Sequence, residues 1–383
     1  MQSTDSQAPV VEREPAAASR RRYLFSPVSG PGGAGELMRC LIIARELVRA
    51  EPEADIRFLV SRAAVFREAV EFPIYDCDAS PTNSTPQVLT AIAAFRPHAV
   101  IFDNSGRTAQ LRAAREAGAR VVFSSRAPHL RRKGFRVKWM RLLDEHWIVF
   151  PGFITGDLSW LETLKLRCFP GYTVRHLDTL FTPSDPAERR RWLERHGLVA
   201  GGYTVFVPGG RSEARHVTEP TDLFIAAARE FVATTGEVAV VLTGRPTVPV
   251  AGEPRNLRLM PRIRPEEVQH LLAEARLVVS NGGTTMVHSL AHHRPLVAVP
   301  LASDQNRRIR LAVRLGVAAT ASHSAGAVAE AAAALFNDAS RRERLGHRTE
   351  ELGIVNGVGQ AVDALRQLAG SAARAEIPAT PRH

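Results

Sequence analysis

The chain has 383 residues, with 50 lysines and arginines against 39 aspartates and glutamates, and therefore a formal charge of +11. Hydrophobic residues make up 45% of the chain and charged residues 23%, which excludes a disordered, collagen-like or small disulfide-stapled protein. Because a single hydrophobic core stops growing at about 250–300 residues, this length predicts two domains with a cleft between them.

The three cysteines, Cys40, Cys77 and Cys168, are widely spaced and odd in number, which matches neither a disulfide framework nor a zinc site. A reducing compartment fits this pattern. The sequence has no run of about 18 apolar residues, and its polar beginning lacks the apolar segment of a signal peptide. We therefore expect a cytoplasmic protein.

Short apolar runs alternate with longer amphipathic stretches, which is the pattern of βα units around a parallel sheet. In the first half, the predicted strands are Tyr23–Val28, Ile56–Val60, Ala99–Phe102, Arg120–Phe123 and Trp147–Phe150, and the predicted helices include Glu36–Ala50 and Thr108–Ala117. In the second half, the predicted strands are Tyr203–Val207, Val238–Leu242, Leu257–Leu259, Leu277–Val279 and Leu296–Val299.

This alternation predicts an α/β protein with two Rossmann-like, doubly wound parallel-sheet domains that face each other across a cleft. The expected N-terminal domain spans residues 21–175 and the expected C-terminal domain residues 176–369, with the join in the proline-punctuated segment Phe169–Leu198. A late helix, Gln360–Leu368, could pack on either half. Residues 1–20 and 370–383 lack apolar periodicity and are expected to be disordered tails.

A glycine loop, Gly30-Pro31-Gly32-Gly33-Ala34-Gly35, follows the first predicted strand and precedes a helix that opens at Glu36. This spacing satisfies G-x-G-x-x-G, in which glycines allow close backbone approach and the helix N-terminus receives an anion. The second strand ends in Ser61-Arg62 and not in an acid, so an NADP site stays open as an interpretation, as does a tight turn without a ligand.

Two further glycine loops lie in the second half, Pro208-Gly209-Gly210-Arg211-Ser212 and Ser280-Asn281-Gly282-Gly283-Thr284-Thr285. Each follows a predicted strand and precedes a helix. Because the carboxyl ends of parallel strands meet at one edge of the sheet, the two loops predict a cradle for a diphosphate.

The segment Leu277–Gly316 resembles the donor-site signature of the GT-B glycosyltransferases, the group of the peptidoglycan N-acetylglucosaminyltransferase and the macrolide and plant glycosyltransferases. In that signature, paired glycines precede a helix, a strand ends in proline, and an Asp-Gln pair follows. The first glycine loop also resembles that of the related UDP-sugar hydrolase of pseudaminic acid synthesis. The resemblance implies that the C-terminal half binds a nucleotide diphosphate sugar, such as a UDP-sugar, that the N-terminal half binds the acceptor, and that transfer inverts the sugar.

The resemblance assigns the donor to one set of residues: Gly210, Arg211, Ile263, Asn281, Gly282, Gly283, Thr284, Asp304 and Gln305. The loop residues would meet the diphosphate, Asp304 and Gln305 would bind sugar hydroxyls, and the backbone at Ile263 would hold the base. Asn281 stands where the family has histidine, and Ser289 where it has the glutamate that holds the ribose. His288, next to Ser289, could compensate.

The family's catalytic histidine position is Glu36 here, and a glutamate can take the acceptor's proton if the cleft raises its pKa. Asp103, at the end of a predicted strand, is the rival base, or else an ordinary turn residue. Acceptor-side residues are expected to be Gly32, Gly33, Gly35, Asn104 and Arg126.

Asp76-Cys77-Asp78 has the form of a metal-binding D-x-D, but two carboxylates after a strand are ordinary turn chemistry, and this fold neutralises a diphosphate with helix dipoles. We therefore expect no metal and no other cofactor. The stretch Arg126–Arg141 has seven basic and no acidic residues, interleaved with Phe135 and Trp139. It predicts contact with an anionic membrane or acceptor, unless its aromatic residues face the core.

The sequence thus predicts an inverting, metal-independent glycosyltransferase with a small-molecule or lipid-linked acceptor, cytoplasmic or peripheral to the inner membrane. A nucleotide-sugar hydrolase on the same fold and a non-catalytic binder of nucleotide sugars or polyanions remain alternatives. Nucleic-acid binding is not expected, because only the charge suggests it and no recognition motif is present.

Overall fold

The computed structural model describes residues 20–31, 35–126, 128–209, 220–246, 252–261 and 263–376. Within these ranges the strands form one sheet of seven strands and one of six. Every strand pairing in both sheets is parallel.

The strands of the first sheet are β1 (Arg22–Pro27), β2 (Asp55–Ser61), β3 (Ile74–Cys77), β4 (Ala99–Asp103), β5 (Arg120–Ser125), β6 (Glu145–Ile148) and β7 (Thr173–His176). The helices of this half are α1 (Gly35–Ala50), α2 (Thr85–Phe95), α3 (Thr108–Glu116), α4 (Pro128–Gly134), α5 (Val137–Met140), α6 (Gly152–Thr155) and α7 (Trp160–Cys168). Two short 3₁₀ helices are Arg67–Ala69 and Pro81–Asn83.

Helix α8 (Pro186–Arg195) leads into the second sheet, whose strands are β8 (Tyr203–Val207), β9 (Val238–Leu242), β10 (Leu257–Met260), β11 (Leu277–Asn281), β12 (Leu296–Val299) and β13 (Ala319–Thr320). The helices of this half are α9 (Pro220–Thr235), α10 (Pro265–Ala273), α11 (Thr284–Ala291), α12 (Ser303–Arg314), α13 (Ala325–Asn337) and α14 (Ala339–Glu351), and α15 (Val358–Glu376) follows.

The strand order places the predicted site. It is β3-β2-β1-β4-β5-β6-β7 in the first sheet and β10-β9-β8-β11-β12-β13 in the second. The order therefore reverses between β1 and β4 and between β8 and β11, where doubly wound sheets open a crevice for ligands at the carboxyl ends of the strands. The central strands β4, β8 and β11 are buried along their whole length, which explains their continuous apolar runs.

The chain passes between the two sheets twice. The first crossing segment follows β7, the second lies between α14 and α15, and the two segments touch. The Nδ2 atom of Asn356 donates to the carbonyl of Phe181 (2.7 Å), and its Oδ1 accepts from the Phe181 N–H (3.2 Å). The N–H of Gly357 donates to the carbonyl of Thr179 (2.8 Å), and a Cβ at Gly357 would lie 2.7 Å from the carbonyl oxygen of Leu177. The second crossing therefore requires glycine at this position.

Helix α15 packs on the first domain. Its apolar residues Val358, Val362 and Leu365 share a core with α1 and β1, so the first domain is built from residues 20–176 together with α15. The structure differs from two expected boundaries. Strand β7 ends at His176, one residue past the expected end of the first domain, and α15 continues to Glu376, into the tail that was expected to begin at residue 370. Among the described residues, no helix is both long and apolar enough to cross a membrane.

Candidate functional site

Helices α1 and α11 begin on opposite sides of the cleft between the two domains, and a cavity of about 180 Å³ lies between them. Gly35 and Arg39 line it from α1, and Thr284 and His288 line it from α11. Its other lining residues are mainly apolar or belong to the first crossing segment: Met38, Ile42, Arg126, Val149, Phe150, Asp178, Thr179, Leu180 and Val287. The predicted first glycine loop and the predicted donor loop are thus brought to one cleft.

Glu36 lies in the first turn of α1, where a carboxylate is favoured by the helix dipole. Its Oε1 accepts a hydrogen bond from Nδ2 of Asn104 (2.7 Å), and Oδ1 of Asn104 accepts from the backbone N–H of Arg126 (3.2 Å). Asn104 adopts a left-handed backbone conformation (φ 53°), which asparagine tolerates better than most residues. The loop after β4 therefore orients the Glu36 carboxylate, whose side chain remains 22% exposed.

Asp103 is occupied by a buried ion pair. Nε and Nη2 of Arg39 donate to its two carboxylate oxygens at 2.8 Å each, and Asp103 is only 1% exposed. Burial raises the pKa of Asp103, while the Arg39 guanidinium opposes that rise. The structure therefore does not support Asp103 as the rival base, because an acceptor hydroxyl would have to displace Arg39 to reach it.

Two guanidinium groups from opposite domains lie over one aromatic ring. The Cζ atoms of Arg126 and Arg308 are 5.3 and 5.6 Å from the ring centroid of Phe150, and Nη1 of Arg308 donates to the carbonyl of Gly282 (2.9 Å). Burial and the neighbouring cations Arg39 and Arg308 lower the pKa of Arg126. In the described part of the chain, Arg126 has no carboxylate partner, so this end of the cleft has positive charge available for an anion.

The donor loop is held by its own side chains. Asn281 donates from Nδ2 to the carbonyl of Pro208 (2.8 Å) and accepts at Oδ1 from the N–H of Gly283 (2.9 Å), which ties the ends of β8 and β11 together. Oε1 of Gln305 accepts from the N–H groups of Gly282 (3.2 Å) and Leu301 (3.0 Å). The amides of Gly282 and Gly283 are thus already hydrogen-bonded, contrary to the expectation that they donate to a diphosphate.

The other expected donor residues lie in different surroundings. Gln305 is 8% exposed and braces the loop, so its Oε1 does not face a sugar, whereas Asp304 is exposed and forms an ion pair with Arg308. Thr284 is the first residue of α11, and no side chain of the described ranges caps this helix. Ile263 packs partly buried against the second core. Gly32, Gly33, Gly210 and Arg211 lie outside the described residues.

Ser289, which stands where the GT-B signature has its ribose-binding glutamate, is not accessible to a ligand. Ser289 is fully buried and donates from Oγ to the carbonyl of Thr285 (2.9 Å). His288 lies beside the cavity, where its Nδ1 is 3.1 Å from Nε2 of Gln269, and its Nε2 is buried without a hydrogen-bond partner among the described residues. Burial lowers the pKa of His288 to about 3, so the imidazole is neutral at pH 7.

The stretch Arg126–Arg141 forms α4, α5 and their flanks. Phe135 and Trp139 are 3% and 2% exposed and belong to the core of the first domain. Arg131 is also buried, and its guanidinium donates to three backbone carbonyls and to Glu162. Of the two alternatives left open for Phe135 and Trp139, the structure therefore shows that both face the core, and the exposed basic residues of the stretch are Arg132, Arg136, Lys138 and Arg141.

The D-x-D carboxylates are held by arginines: Asp76 pairs with Arg67 and Asp78 with Arg62. Among the described residues, no group of three or more His, Cys, Asp and Glu side chains is placed to hold a metal ion.

Sequence reasoning missed Arg39, Phe150 and Arg308. Arg39 follows Glu36 by three positions and Arg308 follows Asp304 by four, so helical spacing puts each arginine on the face of its acidic neighbour. This spacing was the available signal. Phe150 had none, because its role depends on two arginines that are distant in the chain.

The chain has the fold of known glycosyltransferases. It resembles the spinosyn forosaminyltransferase SpnP (TM-score 0.63, 16% identity, 92% of this chain and 100% of that chain). It also resembles the calicheamicin glycosyltransferase CalG4 (0.61, 16%, 92% and 99%) and the Acinetobacter baumannii MurG (0.59, 16%, 91% and 99%). No protein-family model and no curated protein sequence matches the chain. The predicted GT-B fold is confirmed.

Proposed function

We propose that the protein is a metal-independent, inverting glycosyltransferase that moves a sugar from a nucleotide diphosphate sugar, such as a UDP-sugar, to an acceptor bound by the N-terminal domain. The observation that carries the proposal is the arrangement across the cleft. An oriented, accessible carboxylate, Glu36, lies on one side, and the uncapped N-terminus of α11 with Arg308 lies on the other. The fold shared with known glycosyltransferases adds support.

The diphosphate is assigned to the positive end of the cleft. Arg126 and the first-turn amides of α11 would donate charge-assisted hydrogen bonds to phosphate oxygens, and Arg308 would do so by exchanging its ion pair with Asp304 for one with a phosphate. These groups stabilise the negative charge that develops on the leaving diphosphate as its bond to the sugar breaks. Since they neutralise that charge, the proposed reaction needs no metal, and turnover should be unchanged by EDTA.

Glu36 is the proposed base. The acceptor hydroxyl attacks the anomeric carbon from the face opposite the diphosphate, its proton passes to a Glu36 oxygen, and the sugar is inverted. Asn104 holds Oε1, which would direct Oε2 toward the acceptor. Asp103 is assigned a structural role with Arg39.

Donor binding is tested by the thermal stability of the protein with UDP, dTDP, GDP, ADP or NADP. A ligand present at 100 times its Kd stabilises the native state by about 2.7 kcal/mol, so one nucleoside diphosphate should raise the Tm. Arg308→Gln should abolish the rise, and Arg310→Gln, an exposed change on the same helix, should leave it intact. A rise with NADP alone, or an unaffected Arg308→Gln protein, would overturn the assignment.

The base is tested by the release of nucleoside diphosphate from the sugar donor that binds. Glu36→Gln should keep donor affinity and lose about 10²–10⁴-fold in turnover. The change should be measured beside Glu53→Gln, which alters an exposed carboxylate of the same domain. If Glu36→Gln retains turnover, the role assigned to Glu36 is wrong.

Hydrolysis of the nucleotide sugar is the second candidate function. The cavity beside α1 is smaller than the roughly 300–1,000 Å³ of ordinary ligand pockets, and water needs far less room than a glycosyl acceptor. Release of free sugar at a rate that no acceptor increases would favour the hydrolase. The acceptor, the sugar and the cytoplasmic location remain predictions from the sequence.

A further inference from the structure

Helix α7 exposes an apolar face. Trp160 is 73% exposed, and Leu161 and Leu164 are each 49% exposed. None of the nine residues of α7 is buried. Three of the eight exposed large hydrophobic residues in the described ranges thus lie on this one short helix, which is the kind of apolar surface that marks an interaction site.

The face is held in a fixed orientation. Ser159 caps α7, Nη2 of Arg131 donates to Oε2 of Glu162 (2.8 Å), and Nζ of Lys165 donates to the carbonyl of Phe135 (3.0 Å). Glu162 and Lys165 thus turn one side of α7 toward the α4–α5 segment. Trp160 and Leu164 are one turn apart on the other side, with Leu161 beside them.

The segment against which α7 packs is strongly basic. Its exposed residues include Arg132, Arg136, Lys138 and Arg141, and no acidic residue occurs between positions 126 and 141. Val137, among these cations, is 42% exposed. We call these four cations, Trp160, Leu161 and Leu164 together the α7 surface. It combines an exposed apolar helix face with the positive charge of the segment on which the other side of α7 packs.

We propose that the α7 surface docks on an anionic lipid bilayer, with α7 lying in the plane of the interface. Tryptophan favours the headgroup level, the two leucines reach the acyl boundary, and the cations meet lipid phosphates and carboxylates. The excess of positive charge favours an anionic bilayer over a second copy of this chain, because two such surfaces would repel. The proposal is independent of the transferase assignment, since no residue of the α7 surface lines the cleft.

The four tryptophans make a direct assay. Trp139, Trp147 and Trp192 are at most 2% exposed, so a change in tryptophan emission on binding reports Trp160. The protein is mixed with phosphatidylcholine vesicles containing 0, 20 or 40% phosphatidylglycerol. We expect a blue shift and quenching by brominated lipid, both growing with phosphatidylglycerol content and weakening with added salt. A wild-type protein that neither shifts nor co-sediments overturns the proposal.

Variants separate the two parts of the surface. Trp160→Ser with Leu161→Ser and Leu164→Ser should lower the partition coefficient at least tenfold, as measured by co-sedimentation. Replacing the four cations with glutamine should lower it by about fivefold for each cation engaged. Val199→Ser, at a 74% exposed position of the other domain, is the matched control. The proposal is overturned if the triple serine variant or the four-glutamine variant partitions as wild type does. It is also overturned if the triple serine variant changes the oligomeric state of the protein and not its partitioning.

Discussion

The buried pair of Arg39 and Asp103 yields a quantitative prediction. Arg39 is 8% exposed, Asp103 is 1% exposed, and two hydrogen bonds of 2.8 Å join them. Removing one partner of such a pair costs about 3–5 kcal/mol, because the other charge stays buried. In Asp103→Asn, Glu36, whose Oε1 is 3.8 Å from Nη2 of Arg39, compensates in part. We therefore expect a loss near the lower limit, about 3 kcal/mol.

The measurement is urea unfolding followed by the fluorescence of the buried tryptophans. With a slope of about 2–3 kcal/mol per M of urea, the expected loss lowers the midpoint by about 1–1.5 M. The double variant Arg39→Met with Asp103→Leu removes both charges, so it should lose at least about 1 kcal/mol less than the sum of the single variants. Strictly additive losses, or a single-variant midpoint within about 0.3 M of wild type, would refute the reasoning.

The same variant separates a structural role from a catalytic one. At low temperature, where Asp103→Asn remains folded, we expect a smaller loss of turnover than in Glu36→Gln, because Asp103 takes no proton from the acceptor and its removal only draws Arg39 toward Glu36. A folded Asp103→Asn protein that loses about 10²-fold or more in turnover, beside a Glu36→Gln protein that does not, would show that Asp103, and not Glu36, is the base.

Three further predictions concern the framework of the site. Gly209→Ala should lower the free energy of unfolding by about 1 kcal/mol more than Gly244→Ala. Both glycines have positive φ, but a Cβ at Gly209 would lie 2.2 Å from Nδ2 of Asn281, whereas a Cβ at Gly244 would have no atom of the described residues within 4 Å. Equal losses of Tm would contradict this prediction. Burial lowers the pKa of His146 to about 3 in the folded state. Between about pH 3 and 6.5, the unfolded state therefore binds one proton more than the folded state. The free energy of unfolding then falls as the pH is lowered through that range. His146→Phe should reduce the slope of the free energy of unfolding against pH by up to about 1.4 kcal/mol per pH unit, as measured by urea titrations at pH 7.5, 6 and 5. An unchanged slope would show that His146 is not the group that takes up the proton. Gln305→Leu should lower the free energy of unfolding by about 2 kcal/mol or more, because it leaves the buried N–H groups of Gly282 and Leu301 unpaired. The control Asn306→Leu, at an exposed position, should lower it little. Similar urea midpoints of the two variants would show that Gln305 does not brace the loop.

The fold could be predicted because its signals are local. Apolar runs, glycine loops and helix openings each lie within a few residues, and the parallel pairing of the strands then follows from the general preference of βα units for parallel sheets. The predicted strands Tyr203–Val207 and Val238–Leu242 coincide with β8 and β9. Glu36 and Thr284 were singled out as candidates for the same reason, since each lies in the first turn of a helix that follows a glycine loop.

The side-chain partners could not be predicted, because they depend on contacts that are distant in the chain. Asp103 looked like a free strand-end carboxylate until Arg39, 64 positions away in the chain, was seen to cover it. Gly282 looked like a free donor until Gln305, 23 positions away in the chain, was seen to use its amide. A pattern of residues shows which groups are available but does not show which are already satisfied.

The packing of α15 against α1 has a consequence for the order of folding during synthesis. The strands and helices from α8 to α14 follow one another in the chain, so most of the second core can form once this segment has left the ribosome. The first domain cannot complete its core at that point, because Val362 and Leu365 belong to that core and are synthesised only after α14. The apolar side of α1 must therefore stay uncovered on the nascent chain while the second domain is made, and a chaperone that binds nascent chains should find its target there.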